Sequence, residues 1–153
     1  MLVKDYMTCS VKTATLDTPV VEVVSLMCLH RYSGLPVVDD NDKLIGFIAE
    51  KDVLHKLFPT LDELLENINV DYDALVPNYR QVVQLTVKDV MSEGGISVTP
   101  DMHLLKAATV MVRHRFRRIP VVDGGVLKGM LSLGDVHKAV FQANVVEVFQ
   151  LPE

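Results

Sequence analysis

Two segments carry residues able to do chemistry at matched spacing, Gly46-Phe-Ile-Ala-Glu-Lys-Asp52 and Gly129-Met-Leu-Ser-Leu-Gly-Asp135. Each has a glycine, a small residue at Ala49 or Ser132, and a carboxylate at Asp52 or Asp135. The pattern predicts a strand that ends, a close approach of backbone, and a helix whose free N–H groups and positive dipole end stabilise phosphate or another anion. An ionised carboxylate there can accept hydrogen bonds from both hydroxyls of a ribose. The same residues can also serve the fold alone. Ser132-x-x-Asp135 fits a helix cap with an acid in the first turn, worth about 1 kcal/mol and needing no ligand. Both readings are open at this level.

Arg117 and Arg118 are the second candidates, because two guanidiniums can grip phosphate oxygens as bidentate forks. Their bland alternative is a solvated basic end of a helix that stabilises its C-terminal dipole. His30 and His114 read as the same kind of helix-end charge, and His55, His103 and His137 have no partner at metal-ligand spacing. No Ser-His-Asp order, paired catalytic carboxylate or Walker-type loop occurs, so the expectation is a protein that is not an enzyme. Cys9 and Cys28 lie in no metal or redox spacing and read as free, mostly buried thiols.

These residues sit in a duplication. Val3 to Asp39 aligns without a gap on Val87 to Asp123 at an offset of 84, with 13 of 37 positions identical. The register then shifts to 83, so that Gly46 to Val53 faces Gly129 to Val136. Each copy predicts the order β-α-β-β-α. An early strand at Val11 to Ala14 or Ile96 to Val98 is followed by cap signals at Asp17-Thr-Pro19 or Thr99-Pro-Asp101. A helix then carries Val20, Val23, Val24 and Met27, or Leu104, Ala107, Ala108 and Met111, as its buried stripe. Leu35-Pro-Val-Val-Asp39 and Ile119-Pro-Val-Val-Asp123 begin hairpins that turn at Asp40 to Asp42 or Gly124-Gly125. A last helix starts near Lys51 or Gly134. The expected division is repeat 1 over 1–58, a helical insertion over 59–85, repeat 2 over 86–143 and a tail over 144–153. In the insertion, Thr60 to Glu63 fits a capping box and Leu61, Leu64, Leu65 and Ile68 an apolar stripe. The tail from Val145 to Leu151 is expected either as a strand or as an extension of the last helix.

With 153 residues the chain can build one core from two units too small to stand alone. No apolar run approaches the roughly 18 residues of a membrane span, and the start leads straight into the first copy. The expectation is a cytoplasmic protein with no membrane partner. A net charge of −5 argues against a nucleic-acid surface.

The chain resembles a tandem pair of CBS domains, the regulatory module often called a Bateman module. The resemblance rests on Val87 to Met91, Ile96 to Asp101, Arg118 to Asp123 and Gly129 to Asp135, with their first-copy counterparts. It implies an α/β (α+β) fold of two β-α-β-β-α units about a pseudo-twofold axis, and clefts for AMP, ADP, ATP or, less favoured, S-adenosylmethionine. One cleft would combine Ile48, Ala49 and Asp52 with Ile96, Ser97, Arg117, Arg118 and Pro120. The other would combine Leu131, Ser132 and Asp135 with Lys12, Thr13, Ser33, Leu35 and Pro36. Ile48, Ile96 and Leu131 would wall adenine, Asp52 or Asp135 would hold ribose, and Arg117, Arg118 or Lys12 the phosphates. Ala49 departs from the family's hydroxyl, and Ser33-Gly34 stands where the second copy has its arginine pair. The implied protein is a nucleotide-regulated homodimer read by an effector protein and requiring no cofactor. The rival is a pair that has lost its ligand and serves only dimerisation or interaction.

Overall fold

The computed structural model describes residues 1–57, 65–66, 69 and 71–149. The chain divides into two compact units: Lys12–Gly95, called the first, and Met1–Val11 with Ile96–Glu153, called the second. The first contains α1 (Val20–His30), β1 (Gly34–Val38), β2 (Leu44–Ala49), α2 (Glu50–His55), α3 (Val76–Val82), α4 (Val87–Val90) and β3 (Ser92–Glu93). The second contains a 3-10 turn (Val3–Asp5), α5 (Leu104–Arg113), β4 (Arg118–Asp123), β5 (Val126–Ser132) and α6 (Leu133–Phe149). The α/β class expected from the repeat is present in both units. In each, the early strand contracts to one bridging residue, Ala14 beside Val37 or Val98 beside Val121.

Each unit has its own core, and the predicted stripes face it. Val20, Val23 and Met27 are buried with Leu35, Val37, Ile48 and Val53. Leu104, Ala107 and Met111 are buried with Ile119, Val121, Leu131 and Val136. The hairpins are antiparallel, with Leu35 opposite Ile48 and Ile119 opposite Leu131. Gly124 and Gly125 have φ of 58° and 84°, the paired positive values of the tight turn whose twist suits a hairpin. In the longer turn, the Asp39 carboxylate accepts from the N–H groups of Asn41 and Lys43, both at 2.9 Å.

The sequence repeats and the compact units partition the chain differently. Residues 3–8 belong to the first copy by sequence, yet they pack in the second unit, while 87–93 pack in the first. The exchange is reciprocal bond for bond. Val3 N–H donates to Met102 O at 3.0 Å and Val87 N–H to Thr18 O at 2.9 Å; Thr8 bridges Met130, and Ser92 pairs with Phe47. The residues just before the exchanged segments cap the main helices. Val20 N–H donates to Leu85 O at 2.9 Å and Leu104 N–H to Met1 O at 3.1 Å, satisfying amides that open a helix without an intrahelical partner. The caps fall at Pro19, the last residue of the first expected signal, and at His103, two residues beyond the second; Asp17 and Thr99 lie two and four residues before them. His103 Nδ1 accepts from Leu105 N–H at 3.2 Å.

The helix ends repeat as well. Arg31 and Arg115 take left-handed backbone at φ 55° and 58°, and Tyr32 and Phe116 N–H groups reach back to the Met27 and Met111 carbonyls. The His30 ring stacks on Tyr32 and His114 on Phe116, each with centroids 5.3 Å apart, so these histidines also brace the turn that ends the helix. Cys9 and Cys28 are exposed, against the expectation of burial. Cys28 lies off the apolar stripe of α1, and Cys9 follows the exchanged strand residue Thr8.

Within the insertion, Asp73–Leu75 forms a 3-10 turn and α3 sends Val82 into the first core. The proposed capping box at Thr60 to Glu63 and the stripe residues Leu61, Leu64 and Ile68 lie outside the described residues. Leu65 is exposed. Of the two expectations for the tail, the helix is found, since α6 runs to Phe149; residues 150–151 lie outside the described residues.

Candidate functional site

The two chemistry-bearing segments form matching strand-to-helix junctions, one in each unit. In the first, β2 ends at Ala49 and α2 opens at Glu50, whose N–H donates to Ser33 O at 2.9 Å. Asp52, in the first turn of α2, accepts from Ala49 N–H at 2.8 Å on Oδ2 and from the Ser92 hydroxyl at 3.3 Å on Oδ1. The Ala49 side chain carries no oxygen, so only half of a capping box exists here. Ser33, Lys12 and Thr13 are exposed in the same unit, while Gly34, Leu35 and Pro36 are buried in β1.

In the second unit, Leu133 N–H donates to Arg117 O at 2.9 Å, and Arg118 lies opposite Ser132. Ser132 Oγ accepts from Asp135 N–H at 3.0 Å and donates to Asp135 Oδ2 at 2.6 Å. The helix-capping reading of Ser132 and Asp135 is therefore physically realised. It leaves Asp135 half-buried with acceptor capacity on its carboxylate. Arg117, Arg118, Ile96 and Ser97 are exposed, and Pro120 is buried, its carbonyl accepting from Val98 N–H at 3.0 Å.

Of the expected adenine walls, Ile48 and Leu131 are 0% exposed, and Leu35 of the second expected cleft is 2% exposed. Their side chains fill the cores of their own units, so a ligand at these positions meets their backbone. Ile96, at 37% exposure, is the wall residue that presents an apolar side chain. The expected groupings draw on both units: Ile48, Ala49 and Asp52 belong to the first, and Arg117 and Arg118 to the second.

Two features escaped the sequence reading. Gly46 and Gly129 were expected to admit a close approach at a turn, but both lie inside strands. A Cβ at Gly46 would strike Ser92 O, and one at Gly129 would come within 2.5 Å of Thr8 O. The residue they make room for is the exchanged strand. Ser92 itself, a hydroxyl on Asp52, could have been suspected only from its place in the repeated block beside Thr8. The Ser33-Gly34 departure also has a local cause, since a Cβ on Gly34 would collide with the Phe47 ring. A side chain at this position would have to displace the Phe47 ring, unlike Arg118 in β4.

Among the described residues no helix is long and apolar enough to cross a membrane. The model of the CBS domain matches residues 3–59 and 87–142. The chain is 29% identical over 154 residues to the uncharacterized protein MJ1426 of Methanocaldococcus jannaschii, covering 92% of this chain and 91% of that protein. To the chloroplastic CBSX2 of Arabidopsis thaliana it is 31% identical over 139 residues, spanning 57% of that protein's length. It superposes on the crystal structure of CBSX2 in complex with AMP with a TM-score of 0.72 and 29% identity, covering 94% of this chain and 98% of that one. The match to an inosine-5'-monophosphate dehydrogenase of Halalkalibacterium halodurans covers only 21% of that enzyme. With two family matches that together span most of its length, the chain belongs to the CBS-domain family as a tandem pair.

Proposed function

We propose that this CBS pair binds an adenosine-containing ligand, AMP, ADP or ATP ahead of S-adenosylmethionine, and signals occupancy through contacts with an effector protein or within its own dimer. The observation that carries the reading is the pair of half-buried carboxylates, Asp52 and Asp135, each fixed by hydrogen bonds at a strand-to-helix junction. A carboxylate so held accepts from both ribose hydroxyls with little reorganisation. Arg117 and Arg118, or Lys12, supply the cations for phosphate. The AMP complex of CBSX2 supports the choice of ligand class. Exposed Val21 and Leu29 on α1, Val112 on α5 and Phe141 on α6 support a symmetric dimer, because they are apolar side chains that a second copy would cover.

Thermal unfolding with AMP, ADP, ATP, S-adenosylmethionine and NAD tests the proposal. Saturating ligand at about 100 times its dissociation constant adds about 2.7 kcal/mol, a clear rise in Tm. No rise with any adenosine compound would favour the ligand-free interaction module. That second reading draws on Ala49 and on the completeness of the Ser132–Asp135 cap without a ligand.

A further inference from the structure

We infer that Ser92 is a positioning residue for Asp52, replacing through the exchanged strand the cap hydroxyl that the first repeat lacks at Ala49; this rests on the proposed role of Asp52 in holding ribose. The two junctions hold their carboxylates by different means. Asp135 is held by its own cap, with Ser132 Oγ donating to Oδ2 at 2.6 Å. Asp52 has no such hydroxyl on its own helix, because residue 49 is alanine, and Ala49 N–H fixes only Oδ2. The other oxygen, Oδ1, receives the Ser92 hydroxyl at 3.3 Å, from a residue 40 positions away in sequence.

The backbone fixes that donor. Ser92 pairs with Phe47 in β2, Glu93 pairs with Gly46, and Gly94 N–H donates to Ile45 O at 3.0 Å. Gly46 leaves room for the strand to lie this close, since a Cβ there would strike the Ser92 carbonyl. With one donor on each oxygen, the plane of the Asp52 carboxylate is defined, and each oxygen keeps a lone pair for one hydroxyl of a vicinal diol. The ligand feature read by this arrangement is the intact 2',3'-diol of a ribose. Ser92 thus gives the alanine-bearing junction the carboxylate order that the serine-bearing one has by itself.

Calorimetric titration of the full chain with AMP and with 2'-deoxy-AMP tests this. Ser92→Ala should weaken AMP by about fivefold, the loss of one hydrogen bond, and weaken 2'-deoxy-AMP less, lowering the discrimination between them. Adding Ala49→Ser should restore both affinity and discrimination. In an Asp52→Asn background, Ser92→Ala should change nothing further. Thr8→Ala, at the matching strand position where Ser132 already holds Asp135, should leave binding unchanged. Full AMP affinity and discrimination in Ser92→Ala would overturn the inference. So would a loss that persists in the Asp52→Asn background or resists Ala49→Ser, because Ser92 would then act through the strand and not through Asp52. A wild-type chain that binds no adenosine compound would overturn the proposed function, and this inference with it.

Discussion

Thr8 and Met130 exchange both of their backbone hydrogen bonds, Thr8 N–H to Met130 O at 2.8 Å and Met130 N–H to Thr8 O at 2.9 Å. One residue lies near the start of the chain and the other in β5, so the N-terminal segment adds a one-residue bridge beside the hairpin of the second repeat. Ser92 and Phe47 make the corresponding pairing in the first unit. Each repeat therefore lends a segment to the compact unit built around the other, as the short strand β3 in the first unit and as a single bridge in the second.

The glycines that admit these strands should be intolerant of a methyl group. Gly46→Ala and Gly129→Ala each press a Cβ against a carbonyl of the exchanged segment and should cost about 1–3 kcal/mol in urea unfolding. Gly134→Ala is the control. Its nearest neighbour would be Ser132 Oγ at 3.7 Å and it lies in α6, so it should be neutral or stabilising by up to about 1 kcal/mol. Equal stability of the first two variants and the wild type would remove the steric argument.

The two helix C-termini make the opposite prediction. Arg31 and Arg115 hold left-handed backbone, which costs a side-chain-bearing residue roughly 1 kcal/mol. Replacing either with glycine should raise stability by up to about 0.5 kcal/mol, net of the greater freedom glycine gives the unfolded chain. A loss of stability in both variants would mean that the arginine side chains contribute more than the backbone strain they carry.

Asp89 gives a pH-dependent test of the exchanged block. Its carboxylate accepts from Thr86 N–H at 3.1 Å and from the Thr86 hydroxyl at 3.0 Å, and these bonds hold its pKa below the ordinary 3.8. A lowered folded-state pKa means a contribution present at neutral pH, retained above 3.8, and lost as pH falls through the folded value. Asp89→Asn should therefore be less stable than wild type at pH 7, with a gap that closes on acidification. Carboxyl NMR should place the Asp89 midpoint below 3.8; a midpoint above it would contradict the assignment.

Much of the fold was legible because it is local. The stripe of Val20, Val23 and Met27, the Gly124-Gly125 turn and the Ser132–Asp135 cap are each set by residues within a few positions of one another. The exchange was not legible, because pairing Thr8 with Met130 spans 122 residues and leaves no period in the sequence. Its traces are the identical Val-Lys-Asp block in both repeats and, in the first, a helix that starts after Pro19 without a side-chain cap. The candidate site divides in the same way. Its carboxylates and Ser132 could be named from spacing, whereas the burial of Ile48 and Leu131 and the Ser92 bond to Asp52 depend on how distant strands pack.

The most direct test of the functional account is calorimetric titration of AMP into the wild-type chain and into the Asp52→Ala/Asp135→Ala variant. Wild type should bind saturably and the variant at least about tenfold more weakly, since a charge-assisted bond contributes roughly 1.5–3 kcal/mol. Binding that survives unchanged in the doubly substituted chain would contradict it.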